Sequence, residues 1–232
     1  MLNVICVKHG TKYGSEYVNN LYNMVQRHLT IPHRFVCFTE DSKNIDAHIQ
    51  IIPLPNNEHI SGWWWKTYIF SPQHFKSSET KLFFDLDMVI INNIDKFIKY
   101  KQGLFVGLED LGRVFNKPKK LGSAVMRWQG TAYENIWTEF IKDPIQSKKF
   151  TGGDQDWIWE LNKKKINFFP KDWIISYKWE ARNIKELIKV KDKWIFKTIR
   201  EPEVGPETAV LAFHGTPDLE DVEDKIIVEN WR

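Results

Sequence analysis

The chain carries only two cysteines among 232 residues, too few for a disulfide framework or a thiolate metal cluster. Cys6 and Cys37 sit inside the apolar runs VICV and FVCF, a setting that suits buried free thiols and a reducing compartment. No stretch approaches the roughly eighteen consecutive apolar residues of a membrane span. The amino terminus, MLNVICVKHG, reads as a short strand without a leader pattern, so a cytoplasmic location is expected. Blocks of about five or six like charges are also missing. The net charge is only +3, and no nucleic-acid footprint is expected. KPKK at 117–120 and KKK at 163–165 read as solvated loop and helix-end lysines. With no repeat, no low-complexity linker and no composition break, the expectation is a single domain over residues 1–232.

Aromatic residues, by contrast, are abundant. Eleven Trp and fifteen Phe point first to core packing and second to platforms for sugars or bases. The runs LNVICV and HRFVCFTED read as strands. Between them Val18, Leu21, Tyr22, Val25 and Leu29 recur at helical spacing, which predicts a helix over 15–29 with Ser15 as its N-cap. This strand, helix, strand opening belongs to an α/β chain with a largely parallel sheet and crossover helices. HIQIIPLP is a third strand, WWWKTYIF is helical around Lys66, and KLFFDLDMVI is the most apolar strand, as a central strand covered on both faces would be. LFVGLED, SAVMRW, INFFP, KWIFKT and AVLAF supply further strands. Helices are expected around Tyr133–Ile141 and after TGGDQ, and the acidic tail from Asp218 is expected to wrap the surface.

Asp85 and Asp87 interrupt the most apolar of these strands. Buried ionised carboxylates are tolerated only where positive charge or several donors meet them. Ligands of open α/β sheets bind beyond the carboxyl ends of the strands, and three features fall there: the loop after VICV, the Asp85/Asp87 pair, and His214 after AVLAF. Residues i and i+2 of a strand point the same way, so the two aspartates can face one cation. Oxygen donors suit magnesium or manganese, and an imidazole from His214 tilts the choice toward manganese. The alternative is an acidic pair that caps the next turn without metal.

FFDLDMVI resembles the Asp-X-Asp motif of the GT-A fold glycosyltransferases, and LFFDLDMVIINNIDKF is similar to the corresponding stretch of the glycogenin-like family. WWKTYIF about twenty residues upstream, GSAVMRW, GGDQDWI and FHG resemble further segments of that family in the same order, over roughly residues 2–217. The resemblance implies a GT-A type, Rossmann-like domain with a mostly parallel mixed sheet, its nucleotide-binding half in 1–100 and its acceptor side and tail in 101–232. It implies a nucleotide-sugar donor, uridine-based, a saccharide acceptor, and retention of anomeric configuration. Asp85, Asp87 and His214 would hold Mn2+ or Mg2+. Val7, Lys8, His9 and Tyr13 would hold base and ribose, with Leu86 against the ribose. Lys66 would neutralise the diphosphate, Ser123 and Gly215 would complete the donor site, and Asp154 and Gln155 would face the transferred sugar.

The pattern also departs from the family. The lysine that commonly follows the terminal His-Gly is missing from HGTPDLED, and position 151 is Thr where a carboxylate is usual. SYKWEAR, 176–182, either supplies Lys178 or Arg182 to the diphosphate or acceptor, or is an exposed loop. Asp154 has an alternative as the N-cap of its own helix. Two rival functions are a phosphatase of the haloacid dehalogenase type, whose motif lies nearer the start of the core, and a scaffold that binds nucleotide or carbohydrate without turnover.

Overall fold

A computed structural model describes the chain except residues 112–118, 151, 183–186, 191–192 and 197–200, with the backbone alone at 150, 187–190 and 193–196. The parallel start expected from the sequence is present as β1 (Leu2–Lys8), α1 (Ser15–His28), β2 (His33–Thr39) and β3 (Gln50–Pro53). A 3-10 helix (Gly62–Phe70) then leads to β4 (Thr80–Phe84) and β5 (Met88–Ile90). Next come α2 (Asp95–Lys99), β6 (Phe105–Glu109), β7 (Leu121–Gln129), α3 (Asn135–Phe140), α4 (Pro144–Phe150), α5 (Asp154–Asn162) and β8 (Ile166–Phe168). The last third holds β9 (Ile174–Ser176), a π-helix (Tyr177–Ala181), the β10 (Leu187–Val190) and β11 (Lys193–Phe196) hairpin, β12 (Val210–Ala212) and α6 (Lys225–Asn230).

Seven strands form the central sheet in the order β3-β2-β1-β4-β7-β6-β8. Only β7 runs against its neighbours, so the sheet is mostly parallel and flanked by helices, as expected. β4 is the middle strand, which explains its apolar character: both its faces are covered. Alternation along the strands divides the core in two. Val4, Cys6, Leu82 and Phe84 join a cluster with Tyr17, Leu21 and Val25 of α1 and with β5 and β12. Ile5, Phe83, Met126 and Trp128 join an aromatic cluster with Trp64, Trp65, Phe140 and Trp157. Cys6 and Cys37 are buried and free.

Four local expectations change. The run KLFFDLDMVI is two strands in two sheets, because the chain leaves the central sheet at Asp85 and re-enters a small β5-β12-β9 sheet at Met88. Ser15 is the first helical residue, and Gly14 stands at the N-cap without a side-chain cap. SYKWEAR is no exposed loop: Lys178 is 8% and Arg182 6% exposed. The acidic tail is anchored as well as superficial, since Asp224 accepts from Arg182 Nη1 at 2.9 Å and Arg27 donates to the carbonyls of Asn230 and Arg232. KKK at 163–165 does follow the end of α5 and is exposed. Position 151, most of KPKK's first half and the end of KWIFKT lie outside the described residues.

Candidate active site

The carboxyl ends of β1 and β4 lie side by side, paired in parallel up to Ile5 and Phe83. Beyond Phe84 the chain must turn out of the sheet, and the backbone N–H of Asp85 donates to Ala124 O at 2.8 Å as the last tie to β7. Asp85, Leu86 and Asp87 form that turn. Leu86 drops into the α1-side core at 3% exposure, leaving the two carboxylates at the surface of the cleft.

Lys66 meets the first carboxylate. Its Nζ lies 2.9 Å from both Asp85 oxygens, 3.0 Å from Ser123 Oγ and 3.3 Å from Asp154 Oδ2. Ser123 Oγ in turn donates to Asp154 Oδ2 at 2.7 Å. The 3-10 helix, β7 and the first residue of α5 thus each contribute one member to a closed network, in which Ser123 both accepts from Lys66 and donates to Asp154. Burial opposes the charge on Lys66, but Asp154 and then Asp85 overcome it and hold the ammonium above the ordinary lysine range. Burial pushes Asp85 upward; Lys66 opposes this and Asp154 adds to it.

Asp87 is served less well. Among the described residues its carboxylate meets one other side chain, accepting from Tyr13 Oη at 3.1 Å. Burial first, and the neighbouring Asp85 second, push its carboxyl up to about 7. Burial and Asp87 together raise the Tyr13 phenol. One lysine therefore faces three carboxylates, a deficit of positive charge that fits a divalent cation bound by hard oxygen donors. Asp85 and Asp87 are the residues that would hold one. Among the described residues no three His, Cys, Asp or Glu side chains gather into an ion-binding group.

His214 closes a second network. Phe213 N donates to Asp87 O at 3.1 Å, which brings the end of β12 to the aspartate turn. His214 Nε2 lies 2.7 Å from Ser176 Oγ, and the same Oγ accepts from Trp179 N and starts the π-helix. Lys178 donates to His214 O and, at 3.2 Å, to Thr216 O. Gly215 adopts φ +63°, a left-handed conformation that residues with a Cβ rarely take, and a Cβ there would also lie 3.3 Å from the Lys178 ammonium. Burial lowers the Lys178 pKa, and no carboxylate pairs with it among the described residues.

Of the remaining expected site residues, Lys8 is buried with Nζ 3.4 Å from Asp41 O. His9 is half-buried and its pKa is lowered by burial. Val7 packs partly against the aromatic cluster. Gly10 N donates to Glu40. Gln155 stands half-buried in the first turn of α5. Gly153 is the N-cap of that helix and Asp154 its first residue, with the carboxylate meeting Ser123 and Lys66. Ser176 and Glu40 carried no sequence signal; their parts depend on partners 38 and 30 residues away.

No family model matches the chain, and no curated protein matches it. Solved structures share its fold. The glycosyltransferase GlyE of Streptococcus pneumoniae TIGR4 is 10% identical, with a TM-score of 0.66 over 94% of this chain and 56% of that one. A galactosyltransferase, LgtC, solved with donor and acceptor sugar analogs, is 11% identical, with a TM-score of 0.64 over 99% of this chain and 96% of that one. The bifunctional glycosyltransferase WbbM is 12% identical, with a TM-score of 0.63 over 99% of this chain and 49% of that one. The chain thus spans about half the length of the GlyE and WbbM structures and nearly all of LgtC. It has the GT-A-like fold that its motifs resemble. No helix among the described residues is long and apolar enough to cross a membrane.

Proposed function

We propose that this chain is a glycosyltransferase that moves a sugar from a nucleotide diphosphate sugar, a uridine one, to a saccharide acceptor with retention of configuration. The observation that carries this reading is the charge deficit beyond β1 and β4: three aspartates and one lysine on a fold shared with sugar transferases. Asp85 and Asp87 would hold manganese or magnesium. When bound, such a cation offsets the negative charge that builds on a leaving diphosphate.

The reaction breaks the bond between the anomeric carbon and the diphosphate oxygen and forms one to an acceptor hydroxyl oxygen, whose proton passes to the departing diphosphate. Ser123 and Lys66 fix one oxygen of Asp154, so this carboxylate is preorganised to face the positive charge that develops on the sugar. Gln155, its neighbour, orients the same group. The Val7–Tyr13 loop takes base and ribose. Lys178, held by the carbonyls of His214 and Thr216, supplies a cation to the diphosphate, where the sequence lacks a lysine after Gly215.

Incubation with UDP-glucose, UDP-galactose and UDP-N-acetylglucosamine, with release of UDP as the readout, tests the reading. At least one donor is expected to turn over, more slowly by about 100-fold or more in Asp154→Asn, and proton NMR is expected to show a first-formed product with the donor's anomeric configuration. No turnover with these or other nucleotide sugars, in a protein that binds none of them, would remove it.

A further inference from the structure

Trp63, Trp64 and Trp65 are consecutive, but their environments differ. Trp64 and Trp65 are 7% and 9% exposed inside the aromatic cluster, whereas Trp63 is 59% exposed. The core therefore already has its share of this segment. Among the described residues, the Trp63 indole makes no hydrogen bond and no ring contact. Large apolar side chains left singly in solvent need no explanation in general, but the position of this one does.

The segment is a 3-10 helix, whose side chains at i and i+3 eclipse each other. Trp63 consequently lies on the same edge as Lys66, one turn away. Lys66 reaches Asp154. Trp63 reaches the preceding residue, its Nε1 lying 3.5 Å from where a Gly153 Cβ would be. The indole thus extends the carboxylate pocket outward along the same wall. Its side of the pocket is set by the sheet order, because β4 stands between β1 and β7. The Val7–Tyr13 loop leaves from β1, while α5 packs on β7 through the bond between Ser123 and Asp154.

Beside the ring the chain runs through Gly152 and Gly153, which carry no side chains. Polar groups stand alongside. Asp156 Oδ2 is 3.2 Å from where a Gly152 Cβ would be, and Lys120 Nζ is 3.5 Å from Asp156 Oδ1. A flat, amphipathic indole next to a carboxylate is complementary to a pyranose, which has an apolar C–H face and a rim of hydroxyls.

We infer that Trp63 is the stacking platform for the saccharide acceptor, with Asp156 at the hydroxyl rim. This rests on the proposed transferase reading and assigns that site its acceptor subsite. The test is saturation-transfer NMR with methyl α-glucoside, methyl β-galactoside, maltose and lactose at millimolar concentration, on protein saturated with UDP and manganese. The variants are Trp63→Ala and Trp63→Phe, with thermal melts as a control.

At least one saccharide is expected to receive saturation from the wild type, to lose tenfold or more in affinity in Trp63→Ala, and to keep most of it in Trp63→Phe. UDP affinity is expected to stay within twofold in both variants. Equal saccharide binding by wild type and Trp63→Ala overturns the inference, as does a wild type that binds UDP and none of the four saccharides. A wild type that binds no UDP removes the transferase reading itself, and the inference with it.

Discussion

The two sides of the cleft are built from similar groups but are satisfied to different degrees. Around Lys66, each polar group has a partner within the protein: ammonium to Asp85, Ser123 and Asp154, hydroxyl to carboxylate. Among the described residues the Asp87 carboxylate has one phenol, and the buried Lys178, beyond β12, has backbone carbonyls and the face of Trp179 but no carboxylate. Asp85 and Asp87 are two residues apart in one turn, so the difference comes from what the surrounding elements bring to each. The first side is hydrogen-bonded throughout, though two carboxylates share one ammonium. The second has an acidic group and a cation without charged partners of their own among the described residues, which is how the proposed donor site for a divalent cation and a diphosphate would look before binding.

The contrast is broken most directly by Lys66→Met. Removing one member of a buried charge network leaves the others uncompensated, at a cost of about 3–5 kcal/mol, measurable as a lower urea midpoint. A loss well below 1 kcal/mol would show that the network is solvated. Ser123→Ala should cost less, about 1–3 kcal/mol, because Asp154 loses a donor but keeps Lys66.

Asp87→Asn sharpens the comparison from the other side. In the native state burial and Asp85 hold the Asp87 carboxyl up to about 7, against an unfolded value of about 3.9. The folded form therefore binds the proton more tightly. Its contribution to stability is fully present below about pH 4 and is lost as pH rises through about 7. Urea midpoints recorded with chelator from pH 4 to 8 should fall more for the wild type than for Asp87→Asn. Parallel curves would place Asp87 in water.

Part of this was legible in the residues. The parallel start, the central position of the most apolar strand and the convergence of Asp85 with the end of β1 follow from burial on both faces and from the rule for strand ends. The break of KLFFDLDMVI into two sheets was not legible, because Met88, Val89 and Ile90 are as apolar and as strand-like as Leu82, Phe83 and Phe84. Period alone cannot separate two short buried strands from one long one. His214 was found by its place after AVLAF, but its bond to Ser176 depends on the parallel pairing of β9 with β12. Which of three consecutive tryptophans stays in solvent depends on how the 3-10 segment packs against α3 and α5, which the local residue pattern does not state.

The most direct test of the central claim, that the Asp87 side is completed by a nucleotide diphosphate and a divalent cation, is calorimetric titration of UDP into the protein with manganese and with chelator, repeated on Asp85→Ala with Asp87→Ala. The account predicts binding in the micromolar range, corresponding to about 8 kcal/mol, that requires both the metal and the carboxylates. UDP binding of equal strength with chelator, or in the double variant, would contradict it.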